Sequence, residues 1–272
     1  MRDVIIMAAP NGARKTARDH AALPVSIAAT VDEAARCHAA GAAALHAHVR
    51  GANEEHVLDV GLYRELLGAL GAQVPDMLAQ ITSEAVGIYT PEQQVECIEA
   101  LRPQMVSMAL REISSGFSAP EDARRFFHWC SDNDVHVQHI LFAAEDLEQF
   151  FDYRERGIIP AEQRCLLFVL GRYRVDFQSV PEDLDPFLEH DLDDFDWFVC
   201  AFGQREQDCA LRAIDAGGHA RIGFENDLYL PDGSLADSSA ALITSLAEAL
   251  QARDCRPASG ETARQLLGVR RA

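Results

Sequence analysis

The stretch "AALHAHVR", Ala43 to Arg50, is apolar enough for a buried strand, yet it sets His46 and His48 one residue apart. Residues i and i+2 of a strand share a face, so the two imidazoles project together. Comparable apolar runs recur along the whole chain: "VIIMA" from Val4, "DMLAQIT" from Asp76, "MVSMAL" from Met105, "VHVQHILF" from Val135, "CLLFVLG" from Cys165, "WFVCAFG" from Trp197 and "HARIGFE" from His219. With "AALHAHV" these make eight strand candidates, spaced at about 30 to 40 residues, roughly one βα unit each. The intervals read as helices. "TVDEAARCHAAGA" offers Thr30 as N-cap, Glu33 in capping-box position and Gly41 as a stop, and "TPEQQVECIEALRP" has Thr90 as cap, Pro91 in the first turn and Pro103 beyond the end. Continuous apolar strands alternating with capped helices call for a parallel sheet covered on both faces. Eight such units predict an α/β protein with a closed (β/α)8 TIM barrel, residues 1–272 forming one domain. The doubly wound alternative lacks its phosphate signatures, since no GxGxxG follows the first strand and no GxxxxGK[ST] occurs.

The 272 residues suit one barrel, a fold that typically needs about 250. Net charge is -19, with no Lys/Arg-rich run to track a phosphate backbone, which argues against nucleic acid as a partner. The first apolar run is too short for a signal peptide, and no segment reaches the roughly 18 apolar residues of a membrane span, so a soluble cytoplasmic protein is expected. Seven scattered cysteines without a CxxC pair fit reduced thiols in a core better than a disulfide framework or a zinc ribbon.

Active sites of this fold sit at the carboxyl ends of the strands. An HxH pair there offers two imidazole nitrogens to a borderline cation, although two histidines satisfied by hydrogen bonds in the core or at the rim explain the pair equally well. A third ligand is within reach. In "HARIGFENDLYLPDG" the eighth strand is read as ending at Glu225, followed by Asn226 and Asp227. The first and last strands of a closed barrel are neighbours, so strands two and eight both flank the first and its loop "APNGARKT". His46, His48 and Glu225 can therefore converge, with an open position for water or a substrate oxygen; the plainer reading of Glu225 is a carboxylate at a helix N-terminus. Thr82 and Ser83 close the third strand and Ser107 lies within the fourth, where a hydroxyl reaches the mouth or serves as a cap. Alternation puts Arg221 on the face of Glu225, pointing inward beneath the site, either for function or as a structural ion pair.

With these residues in place, "APNGARKT", "ALPVSIAATVDEAARCHAAGAAALHAHVR", "HARIGFENDLYLPDGSLADSSAALI" and the terminal "ETARQLLG" together resemble the β-keto acid cleavage enzymes, a group that includes 3-keto-5-aminohexanoate cleavage enzyme. The likeness runs from about Ile5 to Leu267 and is densest at the two ends. The resemblance implies a zinc-dependent (β/α)8 barrel, other divalent ions being possible, that converts a β-keto acid and acetyl-CoA into acetoacetate and a new acyl-CoA, and that assembles as a homotetramer. It implies that His46, His48 and Glu225 hold the metal, that Thr82 and Arg221 position and activate the substrate, and that Ser107 faces it.

The chain departs from the family in places. Asn226 stands where many members carry an aspartate of the proton-relay network, and an amide cannot act as a base. Val137 and Gln138 replace a Pro-Glu pair on the fifth strand, and "LREISSG" brings Arg111 and Glu112 near the mouth. Arg14 occupies a place that contacts the amine end of the substrate in the amino-keto-acid enzyme; a cation there favours a neutral or anionic tail. Arg205 in "FGQRE", after strand seven, is a candidate contact for the CoA phosphates. Two other readings stay open: a different metal-dependent barrel enzyme, such as a hydrolase drawing a base from Glu112 or Asp227, and a non-catalytic family member that binds an acyl ligand.

Overall fold

The computed structural model describes residues 1–116 and 120–270. Eight parallel strands close a barrel among them: β1 Ile6–Ala8, β2 Ala44–Ala47, β3 Leu78–Thr82, β4 Met105–Ala109, β5 His136–Leu141, β6 Cys165–Leu170, β7 Asp196–Ala201 and β8 His219–Ile222. Each pairs with its neighbour in chain order, and β8 returns to β1 with Arg221 beside Met7 and Ile222 beside Ala8. The helices that cover the sheet include α1 Ile27–Ala39, α2 Val60–Gln73, α3 Pro91–Leu101, α4 Leu110–Gly116, α5 Pro120–Asp132, α6 Ala144–Glu155, α7 Asp185–Leu188, α8 Glu206–Asp215, α9 Ser239–Leu250 and α10 Gly260–Leu267. Outward strand residues such as Leu45, Val106 and Phe168 pack against them, while Ile5, Met7, Leu78, Met105, Leu167 and Phe198 fill the barrel interior. All seven cysteines are buried and unpaired, as their apolar settings suggested. No helix of the described residues is long and apolar enough to cross a membrane.

Three local expectations are corrected. Helix α1 starts at Ile27, capped by Ser26, whose Oγ accepts from the Ala29 N–H at 3.2 Å; Thr30 lies inside the helix. Its apparent capping-box partner, Glu33, is buried and instead accepts from the Ala240 N–H at the start of α9, 2.9 Å away. The run from Val4 divides: only Ile6–Ala8 joins the barrel, while Arg2–Val4 pairs with Cys255–Pro257 outside it. Strand β8 ends at Ile222, three residues before Glu225, because Gly223 takes φ +146 and passes so close to β1 that a Cβ would lie 2.5 Å from the Ala9 carbonyl oxygen. The α3 grammar is as expected, with Thr90 and Gln93 forming the capping box and Pro91 in the first turn.

Buried neutral histidines give the fold a distinct response to acid. Burial pulls His56 and His139 down to about 3 and His219 to about 4, from 6.5. His219 is held neutral by geometry as well, since its Nδ1 accepts from the Ile5 N–H. Above pH 6.5 these groups are neutral whether folded or not. Below it the unfolded chain binds protons that the folded chain refuses, so stability falls with pH. At pH 5 each accounts for about 2 kcal/mol of lost stability, and three approach the whole margin of roughly 5–15 kcal/mol. Burial lowers His46 and His136 in the same direction, so acid unfolding of the metal-free protein, followed by circular dichroism, is expected to centre near pH 5 with a net uptake of protons. Stability that stays flat from pH 6.5 to 4.5 would contradict this.

Candidate active site

The strand carrying the histidine pair stops between them. His46 is inside β2, whereas His48 falls in the break before Val49–Arg50, which turns away to pair with His56–Val57. Asn11 repairs the break: its Oδ1 accepts from the His48 N–H at 3.1 Å and its Nδ2 donates to the His48 carbonyl at 2.9 Å. The β1 loop that supplies Asn11 is clamped by Arg50, whose guanidinium donates to the carbonyls of Asn11, Gly12 and Lys15. Glu225 arrives from the other side on a turn, with its N–H donating to the Ala9 carbonyl at 2.9 Å. Gly12 leaves room for the Glu225 side chain, which a Cβ at that position would strike. No helix begins there, so Glu225 is not a helix-terminal carboxylate.

The three side chains meet. The Nε2 atoms of His46 and His48 are 3.0 Å apart, and each lies 3.6 Å from a Glu225 oxygen. The protons on the imidazoles can be traced outward. His46 Nδ1 faces Gln80 Oε1 at 2.8 Å, an acceptor, so the proton is on Nδ1. His56 Nε2 faces the Glu84 carbonyl at 2.9 Å and must donate, which leaves His56 Nδ1 to accept from His48 Nδ1 at 3.3 Å. Both histidines consequently turn unprotonated Nε2 lone pairs toward each other and toward a carboxylate, an arrangement that is repulsive without a cation. Burial, with Arg221 beside it, holds His46 well below its ordinary value; burial would raise Glu225, but the Arg221 guanidinium works against it and the carboxyl is held well below its ordinary value. Neutral imidazoles and an ionised carboxylate are the forms that bind metals. Glu225 Oε2 is buried with no hydrogen-bond partner. The spacings suit one ion about 2 Å from each atom, so His46, His48 and Glu225 could hold a divalent metal.

Outer partners of this kind fix tautomer and ring orientation, and their loss typically weakens metal binding 10- to 100-fold. His56→Phe, which removes the acceptor for His48 Nδ1, is expected to weaken zinc binding by about that factor. Competition with a chromophoric chelator measures it; unchanged affinity in a folded variant would show that His48 needs no such partner. Gln80 does the same for His46 and is itself held by Gln138, whose Oε1 accepts from Gln80 Nε2 at 3.2 Å.

The remaining candidate residues divide. Arg221 is buried, its Nη2 reaching Glu225 Oε1 at 3.5 Å and Cys200 Sγ at 3.4 Å. It lines an inner cavity of about 300 Å³ together with His46, Thr82, Arg14 and Glu112. Thr82 Oγ1 accepts from the Glu84 N–H, and Ser107, beside Thr82 in the β3–β4 register, has a buried Oγ without a partner. Arg14 is exposed at the rim, 3.9 Å from Glu84. Glu112 accepts from the Ala85 N–H and from Gln94 Nε2, and burial raises its pKa. Ser83 is engaged elsewhere, its Oγ donating to the Ser107 carbonyl. Arg205 stands apart, exposed and paired with Asp208 at 2.9 Å, while the larger outer cavity of about 510 Å³ takes its neighbours Gly203 and Gln204 into its lining. Asn226 is buried at the edge of that cavity. Asn11, His56, Gln80 and Glu206 went unrecognised in the sequence. A glutamine at an inward position of an apolar strand marks Gln80, but nothing local marks the other three.

The model of the beta-keto acid cleavage enzyme family matches residues 3–269, and the chain belongs to that family. It is 26% identical to a 3-keto-5-aminohexanoate cleavage enzyme of Fusobacterium nucleatum, each chain covered in full. It is 24% identical to a 3-oxoadipate:acetyl-CoA acetyltransferase of Cupriavidus necator, over 97% of this chain and 94% of that one. Among solved structures, apo ObcA superposes with a TM-score of 0.73 at 14% identity, over 91% of this chain and 65% of that one, a likeness of fold.

Proposed function

We propose that the protein transfers acyl groups between a β-keto acid and acetyl-CoA, producing acetoacetate and a new acyl-CoA, with zinc on His46, His48 and Glu225. In balance, R–CO–CH2–COO⁻ and CH3–CO–SCoA become CH3–CO–CH2–COO⁻ and R–CO–SCoA, one carbon–carbon bond and one thioester being broken and one of each formed. The observation that carries this reading is a set of buried polar atoms without partners near Glu225, which lines both the inner cavity with Arg221 and the outer one with Asn226. Of the ten such atoms among the described residues, five belong to Ser107, Arg221, Glu225 and Asn226. A bound metal there supplies a Lewis acid for a keto oxygen and so acidifies the carbon next to it. Arg221 directs its Nε and Nη1 donors at negative charge that develops on the keto acid, in a buried setting where such contacts count most. Thr82 and Ser107 offer hydroxyls from adjacent strands, and Ala109, Ile140, Phe142 and Val169 give an apolar wall that excludes water.

The hydrolytic alternative needs a carboxylate free to act as a base. Glu112 and Asp227 both accept from backbone N–H groups, Ala85 and Leu228 respectively, which supports the acyl-transfer reading. The tail of the keto acid is neutral or anionic. Arg14 and Arg172 line both cavities, whereas Glu84 faces Arg14 and Glu112 holds its two donors, so a cationic tail meets repulsion from the two guanidiniums.

Zinc-loaded protein should be incubated with acetyl-CoA and a panel of β-keto acids, with acetoacetate measured by a coupled assay and the acyl-CoA product identified by mass spectrometry. Product is expected from neutral or dicarboxylic substrates, with kcat/KM for 3-keto-5-aminohexanoate lower by about 100-fold or more. Zinc-loaded protein that makes no acyl-CoA from any member of the panel but turns over an ester or amide would refute the proposal.

A further inference from the structure

Glu206 is the first residue of α8, yet only 2% of it is exposed. Its Oε1 accepts two hydrogen bonds, from the Gly223 N–H at 3.1 Å and from Asn226 Nδ2 at 2.9 Å. Asn226 Nδ2 also reaches the Arg221 carbonyl at 3.4 Å. With two acceptors on that side the amide has a single satisfactory orientation: Nδ2 turned back toward α8 and Oδ1 turned away from it. Asn226 Oδ1 is buried without a partner, as are Nε and Nη1 of Arg221.

We propose that Glu206 is a positioning residue that locks the Asn226 amide, so that Oδ1 is presented to the reactants as a fixed hydrogen-bond acceptor. This rests on the acyl-transfer reading above. Because one oxygen takes both bonds, the lock holds whether the Glu206 carboxyl is charged or neutral. Free of it, an asparagine can turn its nitrogen to the same spot and present a donor instead. Locked, it keeps the acceptor character of a carboxylate at position 226 without the charge, and it does so next to Glu225. The chemical partner of Oδ1 is an O–H donor, on a reactant or on a water that serves it.

The test is a cycle of Glu206→Met, Glu206→Gln and Asn226→Ala in the zinc-loaded full chain, read in kcat, KM and the ¹⁵N side-chain amide resonance of Asn226, identified by its loss in Asn226→Ala. Glu206→Met is expected to lower kcat by about thirty-fold or more with little change in KM, and to lower it no further in the Asn226→Ala background, because Glu206 acts through Asn226. Glutamine keeps an acceptor oxygen, so Glu206→Gln should stay within about three-fold of wild type. The resonance should move in Glu206→Met and persist in Glu206→Gln. Losses that multiply in the double variant, or a resonance unmoved in Glu206→Met, would overturn the proposal. If Glu206→Met does not fold, Glu206→Gln decides: a folded variant that loses more than about thirty-fold refutes the lock. A wild type without turnover refutes the acyl-transfer reading alone, and the resonance then judges the contact by itself.

Discussion

Glu225→Ala is expected to remove the metal and the activity together, with turnover down by at least about 10⁴-fold. Glu225 is the one carboxylate of the three candidate ligands; without it two imidazoles remain, and two ligands rarely hold zinc tightly. The chain should still fold. The turn at 223–226 is anchored by backbone bonds, Glu225 N–H to the Ala9 carbonyl and Asn226 N–H to that of Gly223, which the substitution leaves in place. The variant does leave His46 Nε2 and His48 Nε2 facing each other at 3.0 Å, a repulsion that a shared proton can relieve. His46→Ala should behave alike in metal content and activity. Elemental analysis of purified protein beside the acetoacetate assay checks both, and stoichiometric metal retained in both variants would sink the ligand set.

Much of this site was legible because barrel topology converts sequence order into spatial neighbours. The apolar run around His46 reads as a strand, eight such runs read as a closed cylinder, and closure alone brings "RIGFEN" beside "APNGARKT". Strand alternation gave the right result for Arg221, which is still within β8, and the wrong path for Glu225, which comes after it. The glycine that breaks the strand was visible, but its φ of +146 is imposed by contact with β1 and has no local signal. The Thr30 cap failed for a similar reason: Glu33 matched the capping-box spacing, yet it serves α9, some two hundred residues away. His56 and Glu206 join the site from a short antiparallel strand outside the barrel and from the start of a helix. Their roles are set by what packs beside them, so no periodicity could announce them.

Arg221 separates function from stability more sharply than any ligand does. The residue is 3% exposed, and its guanidinium has two contacts at the long end of hydrogen bonding and leaves Nε and Nη1 unpartnered. A buried charge satisfied this poorly contributes little to stability, and an apolar replacement of similar volume is often neutral or stabilising. In the zinc-loaded protein Glu225 is balanced by the metal, so losing the guanidinium strands no anion there. Arg221→Met is accordingly expected to leave the Tm of the metal-loaded protein unchanged or raised, while kcat/KM falls by about 10³-fold, close to 4 kcal/mol of transition-state stabilisation. Arg221→Lys should recover less than about ten-fold of the loss, because a single ammonium cannot reproduce the fixed, separate directions of the Nε and Nη1 donors. Thermal melts and steady-state kinetics on the same preparations decide the matter. A Tm lowered by about ten degrees, with activity tracking the folded fraction, would make Arg221 a structural ion pair. A stable, inactive Arg221→Met protein would instead show a buried charge kept for catalysis against the interest of the fold.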